Sequence, residues 1–333
     1  MKKTILMALA LALSATVASA QEIQSRMIRF GYGLSENSNQ GRAVRFFADE
    51  VGRLSDGKLK VRGFGDASLG PDVQMQNALV GGAQEMMVGS TATLVGTVKE
   101  FALWDAPFLF ASAEEADAVL DGPVGQKLID GLEAQGLVGL VYWENGFRNL
   151  TNNRGPIEKA EDLKGVKLRV MQNPVYLQMF NDAGANAVPL PFSELFTAME
   201  TGAVDGQENP YTTILSSKFF EVQKYLTISN HVYSPWIMLA SKKWWDGLSA
   251  DEKKILTQAA IASRDFERKD TREQSQKALE ELKANGMTVS ELPEAEIAKL
   301  REIAAPATKA VIDSIGQSVW DEAQAELAKA RGN

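Results

Sequence analysis

Apolar positions along the chain switch repeatedly between a period of two and a period of about 3.6 residues, the signatures of strands and helices in turn. The pattern predicts a short strand over 29–33, a second strand over 58–64, and between them an amphipathic helix over 39–54 with Val44, Phe47, Ala48 and Val51 on one face. It then repeats, with a helix over 72–79 stopped by Gly81-Gly82 and a buried strand over 85–88 running into Gly89-Ser90-Thr91. The same order returns in the second half. There a helix over 195–200 is stopped by Gly202, and Ala203-Val204 reads as a short strand running into the polar loop DGQENP. Such alternation predicts the α/β class, and the echo between the halves suggests two similar α/β lobes.

Between the halves, 137–143 reads as a strand ending in Glu144-Asn145-Gly146, and 148–151 resumes an extended pattern. Asn-Gly between two strands is a hairpin signal. A chain crossing from one lobe to the other leaves the same pattern, and both readings stand at this point. The C-terminal third is helical and charged. Ser249 and Glu252 form a capping box, and neither glycine nor proline interrupts the run before Asn285-Gly286. At 1.5 Å per residue the helix is roughly 50 Å long, more than one lobe needs. Its middle, 264–273, is nearly all charged, which predicts solvent there and burial toward the ends. The apolar a and d positions of a coiled-coil dimer are missing from that middle. A helix lying across both lobes is therefore expected.

Composition narrows the function. Lys2 and Lys3, the apolar run over 5–13 and Ala18-Ser19-Ala20 make a secretory signal peptide, 1–20, expected to be cleaved after Ala20. The apolar run is too short to span a membrane. With no cysteine the chain has neither disulfides nor a lipobox anchor, so a freely diffusing protein of a bacterial periplasm is expected. The net charge of -8, made two units more negative by loss of Lys2 and Lys3, excludes nucleic acid as a partner. A length of 333 residues at 45% hydrophobic suits two ordinary domains. One histidine and no cysteine leave no thiol nucleophile, no Cys/His zinc cluster and no Ser-His-Asp triad other than one through His231. No cofactor or metal is expected, and His231 reads as a packed or capping group. The enzymatic alternative is a periplasmic hydrolase using paired carboxylates such as Asp105 with Glu144, but no motif sets two carboxylates at a defined spacing.

The segment KGVKLRVMQNPVYLQ, 164–178, carries the chemistry. Val166, Leu168 and Val170 alternate with Lys167, Arg169 and Met171, giving a strand with Arg169 on one face, and Asn173-Pro174 then opens a helix as N-cap and first residue. Arg169 thus falls at the carboxyl end of a strand beside a helix N-terminus, where open α/β sheets bind ligands and where an anion is favoured. Pairing with Asp162 or Glu161 is the alternative. Asn209-Pro210 repeats the construction. Asn209 is either the N-cap of a helix starting at Tyr211 or a side-chain amide placed in the same crevice as Arg169, where it orients a carboxylate without adding charge.

NGFRNLTN (145–152), EDLKGVKLRVMQNP (161–174), VPLPFSELFTAMETGAVDGQENP (188–210) and SNH (229–231) together make the chain resemble the extracytoplasmic solute-binding proteins of tripartite ATP-independent periplasmic (TRAP) transporters, of the DctP type. KLRV followed by VDGQENP separates this family from ABC-type binding proteins with a similar clamshell. The resemblance implies a two-lobed, periplasmic-binding-protein-like α/β fold with a cleft between lobes, a crossover near Asn145 and a long helix spanning both lobes. The lobes are expected over 21–145 plus about 235–272, and 146–234 plus about 273–333. It implies a bidentate salt bridge from Arg169 to the ligand carboxylate, a hydrogen bond to it from Asn209, a further contact from Arg148, and Phe192 lining the pocket. Other expected wall residues are Glu36, Asn37, Gln74, Ser90, Thr91, Trp143, Asn145, Tyr211 and Trp236, the tryptophans being alternatively core. Several amides and hydroxyls beside an apolar ring favour a sugar acid, a uronate or aldonate. A C4-dicarboxylate or a 2-oxo or hydroxy acid is the other ligand class, with Arg148 as the second cation. The implied protein partners are the small and large membrane subunits of a TRAP permease, met by a monomer.

Overall fold

The computed structural model describes residues 23–332. The expected signal peptide lies outside them. The first stretch of chain runs through β1 (Arg26–Gly31), α1 (Asn39–Leu54), β2 (Leu59–Phe64), α2 (Asp72–Gly81), β3 (Met86–Ser90), α3 (Ala113–Leu120), α4 (Pro123–Gly131) and β4 (Leu137–Phe147). α1 begins where Ser38 Oγ accepts the Gly41 N–H, and it buries Val44, Phe47 and Val51 against the sheet. The second stretch holds β5 (Asn149–Asn152), β6 (Lys167–Val170), α5 (Pro174–Asp182), β7 (Asn186–Pro189), α6 (Leu195–Glu200), β8 (Gly206–Asn209), α7 (Tyr211–Ser216) and β9 (Tyr225–Ile228). The last holds β10 (Tyr233–Ser241), α8 (Lys242–Trp245), α9 (Ala250–Ala284), β11 (Thr288–Glu291), α10 (Glu294–Ile315) and α11 (Gln317–Ala330).

The strands form two sheets, one per lobe, in the orders β2-β1-β3-β10-β4 and β11-β9-β5-β8-β6-β7. The chain passes between them after β4, after β9 and after α9. Asn145-Gly146 is therefore part of a crossover and not a hairpin, since β4 pairs with β10 while β5 pairs with β8 and β9. The first two crossings are tied together, because the Arg148 N–H donates to the Val232 carbonyl at 2.9 Å.

The echo of helix, glycine, strand and polar turn is present in both lobes, but the second strand is displaced. Ala203-Val204 is not strand; the strand is Gly206–Asn209, the polar stretch itself. Its side chains are buried, and they are met by partners from β5 and from the crossing before it: Gln207 donates to Thr151 Oγ1 at 2.9 Å, and Glu208 is paired with Arg148. No apolar periodicity marks a strand whose neighbours supply polar partners. Gly206 is required by close packing, because a Cβ there would lie 2.1 Å from the Thr151 carbonyl oxygen.

α9 spans 35 residues behind its capping box and joins both lobes. Ile255, Leu256, Ala259 and Ala260 pack into the first lobe's core, Leu279 and Leu282 into the second's. Its charged middle meets solvent on one side only, where Asp265, Lys269 and Glu273 are exposed. Glu267, Arg268 and Thr271 are buried against β4. Arg268 donates to Asp121 at 2.7 Å and to the Tyr142 carbonyl at 3.0 Å, and Arg272 bridges Glu144 and Asp117 at 2.7 and 2.8 Å. The run of charge over 264–273 predicts a wetted face; its inner side instead supplies partners for α3 and for a strand about to cross between lobes. The C-terminal segment also departs from the expected division. α10 packs on α5, but α11 returns to the first lobe and packs on α3 and α4.

Glu267 is the sharpest consequence. Its carboxyl accepts the Glu144 N–H at 2.7 Å and the Thr271 hydroxyl at 2.6 Å, and burial pushes it from an ordinary 4.5 to about 8, with Glu144 adding to the rise. The folded chain holds a proton that the unfolded chain releases, so this group's contribution is fully present below about 4.5 and is lost as the pH rises through about 8. The Glu267→Gln variant keeps the shape of the protonated acid. We expect its thermal midpoint to exceed that of the wild type above pH 8, by about 2–4 °C per kcal/mol relieved, and the difference to vanish toward pH 5. Scanning calorimetry across that range checks it; a constant difference at all pH values would contradict the assignment.

Candidate functional site

A cavity lies between the lobes. The first lobe lines it with the start of α2 and the end of β3, the second with β6, the end of β8 and the 3₁₀ turn Phe192–Glu194. The polar turns of the two echoed units thus face one space from opposite sides.

Of the ten residues singled out as the ligand site, seven line this cavity: Arg169, Asn209, Arg148, Phe192, Trp236, Asn145 and Ser90. Three do not. Glu36 and Gln74 are exposed, and Tyr211 sits half-buried against the second lobe's own core. The two tryptophans divide. Trp236 and Trp143 face each other across β10 and β4, yet Trp236 reaches the cavity while Trp143 is fully enclosed in the first lobe's core.

Arg169 is 2% exposed. Its Nε and Nη2 donate to the Leu190 carbonyl at 2.9 and 2.6 Å, and its Nη1 is buried without a partner among the described residues. Because Nη2 carries two hydrogens, the bond to Leu190 uses one edge of the guanidinium and leaves the Nη1–Nη2 edge unspent. That edge has the spacing of a carboxylate's two oxygens. The rival pairings do not form: Asp162 accepts the Glu158 and Lys159 N–H groups, and Glu161 pairs with Lys299. Burial lowers Arg169 to about 10, with Arg148 adding to the fall and Glu208 and Asp72 opposing it, so the group stays charged at neutral pH.

Arg148 is also buried, but its charge is already met. Nε and Nη2 grip both carboxylate oxygens of Glu208, Nη2 also reaches the Glu208 carbonyl at 2.6 Å and Asn209 Oδ1 at 3.2 Å, and Nη1 lies 3.4 Å from Ser234 Oγ. A free second cation opposite Arg169, the role considered for Arg148, is not what the fold provides. Burial favours the neutral acid at Glu208, yet Arg148 and His231 hold it below the usual carboxylate range. His231, buried, lies 3.1 Å by Nε2 from Glu208 and 2.9 Å by Nδ1 from Ser229 Oγ; burial pulls its pKa down. It packs against Phe180 and does not reach the cavity.

Asn209 is not the cap of α7, whose N-terminal residue is preceded by Pro210 with no side-chain cap bond. Its Nδ2 donates to Gln207 Oε1 at 2.5 Å, leaving one amide hydrogen for the cavity. Asn145 accepts from the Thr213 hydroxyl at 2.9 Å. The sequence reading missed several lining side chains, among them Gln40, Asp72, Thr93, Met171 and Thr213. Met171 follows the KLRV strand and was within reach of the pattern. Asp72 read only as a helix start, and nothing in one dimension connects it to Arg169.

The paired carboxylates of the hydrolase alternative are apart in function. Asp105 accepts from Asn173 at 2.7 Å, Glu144 from Arg272 at 2.7 Å, and neither lines the cavity. Two α/β lobes joined by crossing strands, with an uncompensated guanidinium between them, define a clamshell that binds a small anion. The chain belongs to the bacterial extracellular solute-binding protein family 7, DctP, whose model matches residues 30–314. It is 37% identical over 271 residues to the 2,3-diketo-L-gulonate-binding periplasmic protein YiaO of Escherichia coli, covering 81% of this chain and 83% of that one. It is 32% identical over 325 residues to the C4-dicarboxylate-binding periplasmic protein DctP of Rhodobacter capsulatus, covering 97% and 96%. The crystal structure of the sugar acid binding protein DctPAm from Advenella mimigardefordensis in complex with galactonate matches with a TM-score of 0.91 and 52% identity, over 92% of this chain and 99% of that one.

Removing one member of a buried pair leaves the other charge uncompensated, at a cost of about 3–5 kcal/mol. Glu208→Ala is therefore expected to lower unfolding stability by about that amount in urea titrations. A loss below about 1 kcal/mol, the range of exposed pairs, would show that the pair is not buried in solution.

Proposed function

We propose that this protein captures a sugar-acid monoanion, an aldonate or uronate, in the periplasm and delivers it to the small and large membrane subunits of a TRAP permease. The observation that carries the reading is the unspent edge of Arg169 facing an interlobe cavity. A carboxylate docks there bidentately, Asn209 adds a neutral donor, and Phe192 and Trp236 cover the apolar face of the carbon chain. The relatives support the class of ligand: one binds galactonate and another 2,3-diketo-L-gulonate. The C4-dicarboxylate-binding relative is the reason to keep a dicarboxylate as the second reading. Against it stands Arg148, the other cation lining the cavity, whose charge Glu208 takes up.

Binding is the whole of the protein's work; no turnover is expected. Ligand contacts from both lobes favour a closed form, reached by rotation about the tied crossings at Arg148 and Val232, and a monomer presents the closed surface to the permease. To shift a population from 1:99 to 99:1 the ligand must prefer the closed form by about 5.5 kcal/mol. The signal peptide directs export and is cleaved after Ala20.

Arg169→Lys keeps the charge and loses the fork, so it should lose most of the affinity in isothermal titration, and Arg169→Ala should bind about a hundredfold weaker or worse. Near-unchanged affinity in the lysine variant would sink the assignment. A thermal-shift screen of aldonates, uronates, succinate, malate and 2-oxo acids separates the two ligand classes, since ligand at about 100 times its dissociation constant stabilises by about 2.7 kcal/mol.

A further inference from the structure

We propose that Asp72 is the selectivity residue of this cavity: its carboxylate accepts hydroxyl groups of the bound acid's tail and turns away ligands that bear a second carboxylate. The proposal rests on the sugar-acid reading above and assigns the far end of the same site.

Asp72 opens α2 in the first lobe, across the cavity from Arg169 in the second, and it is the one acidic side chain among the described lining residues. The two charges influence each other, but no ion pair joins them among the described residues. One carboxylate oxygen is fixed in place, since Oδ2 accepts the Ser90 N–H at 2.9 Å. Glycine at 89 makes room for this, because a Cβ there would lie 2.9 Å from both Cγ and Oδ2 of Asp72. Oδ1 has no protein donor among the described residues, so it remains an acceptor for a ligand hydroxyl. Beside it, Gln40 spends its oxygen on the Leu34 N–H at 3.0 Å and keeps its amide hydrogens to donate. A sugar hydroxyl needs both an acceptor and a donor, and this wall holds one of each.

The cavity therefore carries a cation on one lobe and an anion on the other. Its field matches a molecule with one ionised end and one neutral, hydroxylated end. A dicarboxylate seated on Arg169 brings its second charge toward Asp72, and like charges several ångström apart at an effective dielectric of about 20 change affinity about a hundredfold. The purely structural account of Asp72 is that it starts α2 and clamps Ser90. An asparagine preserves that clamp, because its amide oxygen still accepts the N–H, while it removes the charge.

The test is calorimetry in mildly alkaline buffer with galactonate and galactarate, which share a carbon skeleton and differ in whether the far end is a hydroxymethyl group or a carboxylate. Wild type is expected to bind galactonate about a hundredfold tighter than galactarate. In Asp72→Asn the galactonate affinity should fall about tenfold and the galactarate affinity rise about tenfold, collapsing the ratio. An unchanged ratio in a folded variant overturns the proposal, and galactonate binding that persists in that variant leaves the sugar-acid reading standing. Wild type that binds galactarate or succinate as tightly as galactonate also overturns it. Wild type that binds no aldonate or uronate removes the sugar-acid reading and this inference together. Should Asp72→Asn fail to fold, Asp72→Ser carries the same ratio measurement.

Discussion

A guanidinium withdrawn from water with one nitrogen unpartnered is the constraint on which this molecule is organised. Arg169 keeps its charge inside the cavity because the Leu190 carbonyl satisfies one edge and because Glu208 and Asp72 lend negative potential without contact. Among the described residues no carboxylate pairs with it, and one edge keeps its hydrogen-bonding capacity. A buried polar group without a partner is costly. On the proposed function, that cost in the empty state becomes affinity in the loaded one.

The second buried arginine shows the opposite solution. Arg148 stands at the first crossing between lobes, its N–H held by Val232 of the second crossing and its fork closed on Glu208, which His231 also contacts. Here the charge is spent on the architecture: it fixes where two passes of the chain meet, directly beneath the cavity. α9 reinforces the same region from behind, with Glu267 holding the Glu144 N–H and Arg272 holding its carboxylate. Polar groups at the crossings serve as partners for backbone that has left one sheet and not yet joined the other. Two buried arginines thus differ: the fork of one is closed on a carboxylate, and the other has an edge left unspent.

Much of the fold was legible as pattern. Helix α1 and the long α9 follow from apolar spacing and capping residues, because both are decided by interactions within a few residues along the chain. The strand Gly206–Asn209 was not legible as a strand, since its polar side chains are matched by Thr151 and Arg148 from distant sequence, and the buried middle of α9 escaped for the same reason. Arg169 and Asn209 stood out because each sits at the end of a short strand beside an Asx-Pro turn or stretch. Glu36 on the first loop and Gln74 in the first turns of α2 are expected in the cavity from their place along the chain, and both are exposed instead.

By itself, then, the sequence determined the class of fold, the long bridging helix and the family, and it marked Arg169 as a candidate for a carboxylate, because local periodicity and a contiguous motif encode each of them. Tertiary structure alone decided which arginine keeps an unspent edge, which tryptophan lines the cavity, and that Asp72 faces the cavity from the other lobe. Those facts depend on which charges become neighbours after the chain has crossed between sheets, and burial then sets whether a charge is spent within the protein or held for a partner.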